Sequence, residues 1–146
     1  MTAAIWDALR AVDDPEYPGV SIVDLGLVER VSTVDGRVEI DLVPTFSGCP
    51  ALEMIAADVR AAVGTVAVDV DVRFVPTPAW TPERITETAR RQLASDLSVT
   101  VATPTRPARC PHCGAEALIE ESMFGSVRCR SIRRCRACGE PVETIR

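Results

Sequence analysis

The chain has 146 residues, 47% of them hydrophobic and 25% charged, with a formal net charge of −5. That length holds one ordinary domain, or a small domain plus a mini-domain. No apolar run approaches the roughly 20 residues of a membrane span, and the opening MTAAIWDALR has an acid at Asp7 and no basic region, so it does not read as a secretory signal and a cytoplasmic protein is expected.

In chain order, Ile5, Leu9 and Val12 stand at helical spacing and predict a short amphipathic helix over residues 3–12. Asp13-Asp14-Pro15 ends it, because the residue before a proline is pushed out of the α region. The loop Glu16-Tyr17-Pro18-Gly19 leads into Val20–Gly26. Residues 27–34 and 37–43 flank Asp35-Gly36, the signature of a tight hairpin turn. Val38, Ile40 and Leu42 alternate with Glu39 and Asp41, the period of a half-buried strand.

After Cys49, Pro50 suits a first helical position, Leu52, Ile55, Val59 and Val63 form one apolar helix face, and Gly64 suits its stop. Residues 66–75 read as a strand with Val66, Val68, Val70, Val72 and Phe74 on one side. Thr81 and Pro82 read as N-cap and first residue of a third helix, with Ile85, Ala89 and Leu93 as its buried stripe. The fold class is therefore α+β: a hairpin plus a further strand, packed by about three helices. Residues 97–109, rich in Pro and Thr, read as a linker between a domain at 1–96 and a metal-binding module at 110–146.

Charge supports two modules. Residues 1–105 carry 8 Arg against 16 Asp and Glu, net −8, whereas residues 106–146 carry 8 Arg against 5 Glu, net +3. Every basic residue is Arg and there is no Asn, which fits a GC-rich genome.

The last module holds Cys110-Pro-His-Cys113 and Cys135-Arg-Ala-Cys138, two CxxC knuckles separated by 21 residues and each followed by glycine. In a reducing compartment such pairs point to metal or redox chemistry rather than a disulfide framework. Four thiolates satisfy a tetrahedral Zn²⁺, and such a set also holds iron or an iron–sulfur cluster. In the plainest reading the metal only folds a piece too small for its own core. Cys129 is either a packed small residue or an extra or alternative ligand. Arg128, Arg130, Arg133, Arg134 and Arg136 form a basic patch, but Phe124 is the module's only aromatic and the whole protein is acidic, which argues against nucleic acid.

Cys49 stands apart in Gly48-Cys49-Pro50. A cysteine nucleophile generally needs a base, and the one histidine, His112, lies inside a knuckle. A helix N-terminus favours a thiolate without a base. The residues alone leave inert packing and a metal-handling thiol equally open.

Asp14-Pro-Glu16-Tyr-Pro-Gly-Val-Ser-Ile-Val-Asp24-Leu-Gly26, followed by Thr45-Phe-Ser-Gly-Cys49-Pro50-Ala, resembles the SufT/MIP-type domain of iron–sulfur assembly factors over about residues 3–95. With Phe124-Gly-Ser126, Cys129 and Cys135-Arg-Ala-Cys138, nearly the whole chain is similar to the PaaD (older name PaaJ) proteins of the phenylacetyl-CoA epoxidase system. The chain departs from that pattern at Arg130, where Lys is frequent, and at Arg133, where an aromatic is common.

The resemblance implies no catalysis of its own. It implies an accessory role in assembling or maintaining iron–sulfur or di-iron centres of that oxygenase in aerobic phenylacetate degradation. Cys49 would be the metal-handling thiol, holding iron or an iron–sulfur cluster transiently, with Asp14 and Glu16 as motif carboxylates. Zn²⁺ would sit at the Cys₄ site. The implied partners are the oxygenase and reductase subunits and the iron–sulfur assembly machinery. A non-catalytic docking subunit is the alternative. A homodimer would follow if an apolar sheet face were left uncovered.

Overall fold

A computed structural model describes Met1–Arg146. The chain divides into two compact units, Met1–Trp80 and Thr81–Arg146. No helix is long and apolar enough to cross a membrane.

In the first unit, helix α1 (Thr2–Arg10) buries Ile5 and Leu9. A short ladder follows, β1 (Asp13–Asp14) antiparallel to β2 (Tyr17–Ser21). Strands β3 (Val28–Val34) and β4 (Arg37–Leu42) form the expected hairpin, closed by Asp35 and Gly36 at φ 49° and 82°. Two consecutive positive φ values are what a type I′ turn requires. Helix α2 (Leu52–Val63) then carries the chain to β5 (Val70–Phe74), which pairs parallel with β4. The sheet order is β3-β4-β5, with α2 packed against α1 and β5.

The central strand explains why this sheet has one apolar face. Val38, Ile40 and Leu42 are fully buried, whereas Asp41 points the other way between Arg30 and Arg73, its partners on the flanking strands. The Nε of Arg30 donates to Asp41 at 2.9 Å and that of Arg73 at 2.6 Å. Asp41 is held below the ordinary carboxylate range: burial pushes it up, but the hydrogen bonds and charges of Arg73 and Arg30 outweigh that. The face of this sheet away from the buried strand residues is thus laced with charge.

Several expected boundaries move. Pro50 precedes the cap of α2, which is Ala51, so it is not the first helical residue. The strand expected from residue 66 starts at Val70; Val66 and Val68 lie in the turn after α2, and Val68 is fully exposed. The alternation there is real, but the chain needs those residues to leave the helix before it can align beside β4.

In the second unit, Pro82–Arg84 form only a single 3₁₀ turn and Ile85 is extended. Helix α3 (Glu87–Leu97) is capped instead by Thr86, whose Oγ1 accepts from the Ala89 N–H at 3.2 Å. Ile85, Ala89 and Leu93 are buried as expected, Ile85 from just outside the helix. Ser98, at φ 53°, turns the chain into β6 (Val99–Val101), which pairs parallel with the last strand. Residues 97–109 are therefore not a plain linker, and the chain divides at Trp80/Thr81 rather than after residue 96. Strands β7 (Leu118–Ser122), β8 (Arg130–Cys135) and β9 (Pro141–Ile145) complete a four-stranded sheet of order β6-β9-β8-β7.

Candidate functional site

In the first unit the structure brings together the three motif residues, although 33 positions separate Glu16 from Cys49. Cys49 lies in the turn between β4 and α2. Its N–H donates to the Phe46 carbonyl at 3.1 Å, and its own carbonyl accepts from the Leu52 N–H at 3.3 Å. The side chain is half-buried, and its thiol donates to Glu16 Oε1 at 3.6 Å. The Glu16 N–H in turn donates to Asp14 Oδ1 at 2.8 Å. Asp14 is 4% exposed, so it serves as the fixed part that shapes the β1–β2 loop. Asp13, which the motif reading passed over, accepts from the Gly19 N–H at 3.1 Å and ties down the loop's far side.

A half-buried thiol beside a carboxylate offers two donors of different softness. Two such ligands on one tetrahedral ion, with bonds of about 2.3 Å to sulfur and 2.1 Å to oxygen, would stand about 3.6 Å apart. The separation of Cys49 and Glu16 matches that figure. Asp14 Oδ1 is engaged by the Glu16 backbone N–H, which fixes the loop that carries the Glu16 carboxylate.

The second unit contains a four-sulfur cluster. The Sγ atoms of Cys110, Cys113, Cys135 and Cys138 all lie within 4.8 Å of one another. Cys110 and Cys138 are 3.7 Å apart, Cys113 and Cys135 3.6 Å. A tetrahedral ion with bonds of about 2.3 Å to sulfur requires edges of about 3.8 Å, so the donor set fits Zn²⁺.

The two knuckles are built alike. The Gly114 N–H donates to the Cys110 carbonyl and the Gly139 N–H to the Cys135 carbonyl, both at 2.8 Å. Both glycines take positive φ, 78° and 82°, with open space where a Cβ would stand. They are required for backbone conformation and not for room. Cys110 and Cys135 are buried with Val142, while Cys113 and Cys138 are exposed.

Crowding separates the thiols in acidity. The Cys138 backbone N–H, followed by that of Ala137 and the Cys113 and Cys138 thiols, brings Cys135 down to about 7 against the pull of burial. The Glu140 N–H favours ionised Cys138, yet burial and the Cys110, Cys135 and Cys113 thiols outweigh it and push Cys138 up to about 12. A divalent cation removes this conflict, since each sulfur then binds as thiolate.

Cys129 stands outside the four-sulfur cluster, half-buried just ahead of β8. Two of the five arginines of the basic patch pair with acids: Arg130 with Glu143 at 2.8 Å and Arg134 with Glu121 at 2.6 Å. Arg133 is half-buried and its Nε has no partner.

Comparison with known proteins agrees with both halves. Residues 2–74 match the family described as "Iron-sulfur cluster assembly protein", and residues 94–146 match the "PaaD zinc beta ribbon domain". The chain is 35% identical, over 95% of its length and 88% of the relative's, to a protein of Escherichia coli (strain K12) named as a putative subunit of 1,2-phenylacetyl-CoA epoxidase. It is 38% identical to an "Fe-S protein maturation auxiliary factor" of Porphyromonas gingivalis, over 58% of this chain and 83% of the relative. A crystal structure of a domain of unknown function, DUF59, from Bacillus anthracis superposes with a TM-score of 0.58 at 34% identity, over 62% of this chain and 89% of that one. The chain therefore belongs to the iron–sulfur cluster assembly protein family and, within it, to the PaaD type that adds a zinc β-ribbon.

Proposed function

We propose that this protein is an accessory factor that assembles or maintains metallocentres of a phenylacetyl-CoA epoxidase, and is not itself the oxygenase. The observation that carries this reading is the Cys49–Glu16 pair, 3.6 Å apart at a strand-to-helix junction. Two protein donors hold an iron ion or cluster too weakly to keep it and leave its other positions for a recipient's ligands, which suits transfer. The iron–sulfur cluster assembly family matches residues 2–74, which contain this pair, and a relative is named as a maturation factor. The target is inferred from the relative named as an epoxidase subunit, which covers both units. The four-cysteine ribbon serves as a zinc-held docking module for the oxygenase, its reductase or the assembly machinery, in the cytoplasm.

The test is to co-produce the oxygenase with Cys49→Ser and to measure its iron content and turnover. Iron and turnover should both fall, while the variant keeps its zinc. Normal iron and normal turnover would overturn the proposal.

A second reading, a purely structural subunit, is favoured by the name of the Escherichia coli relative. It expects Cys49→Ser to be harmless and Cys113→Ser to abolish co-purification with the oxygenase.

A further inference from the structure

The second unit contains a concave surface that borders the four-sulfur cluster at Cys110 but is otherwise built from residues outside both metal-linked sites. A cleft of about 440 Å³ is lined by α3, β6 and the segment leading into the first knuckle. Four arginines face it, Arg90, Arg91, Arg106 and Arg109, against two acids, Glu87 and Glu116. Both acids are already taken. Glu87 accepts two bonds from Arg106, at 2.6 and 3.2 Å, and Glu116 pairs with Arg109 at 2.5 Å.

Arg90 and Arg91 feel the charge of Glu87, which hydrogen-bonds Arg106 instead. Arg90 is half-buried and spends one Nη2 bond on the Pro82 carbonyl at 3.1 Å. Burial, then the like charge of Arg106, holds its guanidinium below its ordinary value, although Glu87 and Glu83 pull the other way. Positive charge thus gathers in a partly desolvated hollow of a protein that is acidic overall. An incoming anion would relieve that repulsion.

We propose that this cleft binds a small molecule through its phosphate or pyrophosphate group, held by Arg90 and Arg91, with an apolar portion against Ala94 and Val101. Guanidinium forks match phosphate oxygens in pairs. The volume lies within the range of small-ligand sites, and apolar walls with a few convergent charges are their usual lining. Cys49 belongs to the other unit, so the cleft is independent of the metal-transfer reading.

The test is calorimetric titration of the full-length, zinc-loaded protein with inorganic pyrophosphate at low salt. Saturable binding is expected. It should weaken by about tenfold or more in the Arg90→Gln, Arg91→Gln double variant, the loss of two charge-assisted contacts, and stay unchanged in Cys49→Ser. Arg91→Gln alone, at an exposed position, should weaken binding with zinc content and melting temperature unaltered, which separates loss of binding from loss of fold. No saturable binding, or equal binding by the double variant, would overturn the proposal. So would tighter binding of a short poly-glutamate peptide, which would make the cleft a protein-docking surface.

Discussion

At the scale of single residues, the sites differ in what they ask of each side chain. Cys49 and Glu16 are a donor pair, so their replacements should differ in kind. Glu16→Gln preserves shape and the Asp14 contact, which runs through the Glu16 backbone, and removes only the charged oxygen. Iron delivery should drop partially with Glu16→Gln and fully with Cys49→Ser, read as iron bound by the co-produced oxygenase. Equal loss in both would mean that the charge matters as much as the sulfur. Asp41 is structural by contrast. Its folded pKa is lowered below the ordinary 3.8 by Arg73 and Arg30 despite burial. Its contribution to stability is therefore present above that value and is lost as pH falls through the lower folded value. Asp41→Asn should destabilise the protein at pH 7, and the gap from the parent should close on acidification below about 4, followed by denaturant unfolding at several pH values. A gap independent of pH would assign the effect to packing.

At the scale of elements, the knuckles and the α3 start show how local backbone rules position function. Gly139 sits at φ 82° with nothing in the way of a side chain. Gly139→Ala should thus cost the left-handed penalty alone, about 1–2 kcal/mol, and loosen zinc, measured by competition with a chromophoric chelator. Thr86→Ala removes the one side-chain cap of α3 and should cost about 1 kcal/mol with zinc affinity unchanged. The hairpin at Asp35-Gly36 and both knuckles were legible in the sequence because their signals are local: a turn dipeptide, and cysteines spaced for one loop. The third helix was legible only in its apolar stripe. Thr81-Pro82 and Thr86 are both credible starts by composition, and tertiary burial of Ile85 decides between them.

At the scale of the whole molecule, what stayed hidden in the sequence is what depends on distant pairing. Val99–Val101 looks like linker because its partner Glu143–Ile145 is some forty residues away, and only that parallel pairing makes it a strand. The Glu16–Cys49 contact likewise depends on distant pairing, and only the family resemblance linked the two residues. Because α3 and β6 belong to the second unit, that unit has an apolar layer of Ala89, Leu93, Val99 and Val101 besides the small cluster of Cys110, Cys135 and Val142. Metal is therefore not its sole source of order. The knuckle cluster alone is too small to stand without the ion, whereas the core of the first unit, built on Ile5, Leu9, Ile40, Leu42, Ile55 and Val59, contains no metal-ligating side chain. Chelation should consequently melt the knuckle end and leave the first unit folded. Scanning calorimetry should show one transition that moves down when zinc is stripped and is restored by re-addition, and a second that does not move. Hydrogen exchange should show protection lost in β7 and β8 while β4 keeps its own. A single transition shifting as one would mean that the two units fold cooperatively, with the zinc site acting on the stability of the Cys49 junction as well as on its own ribbon.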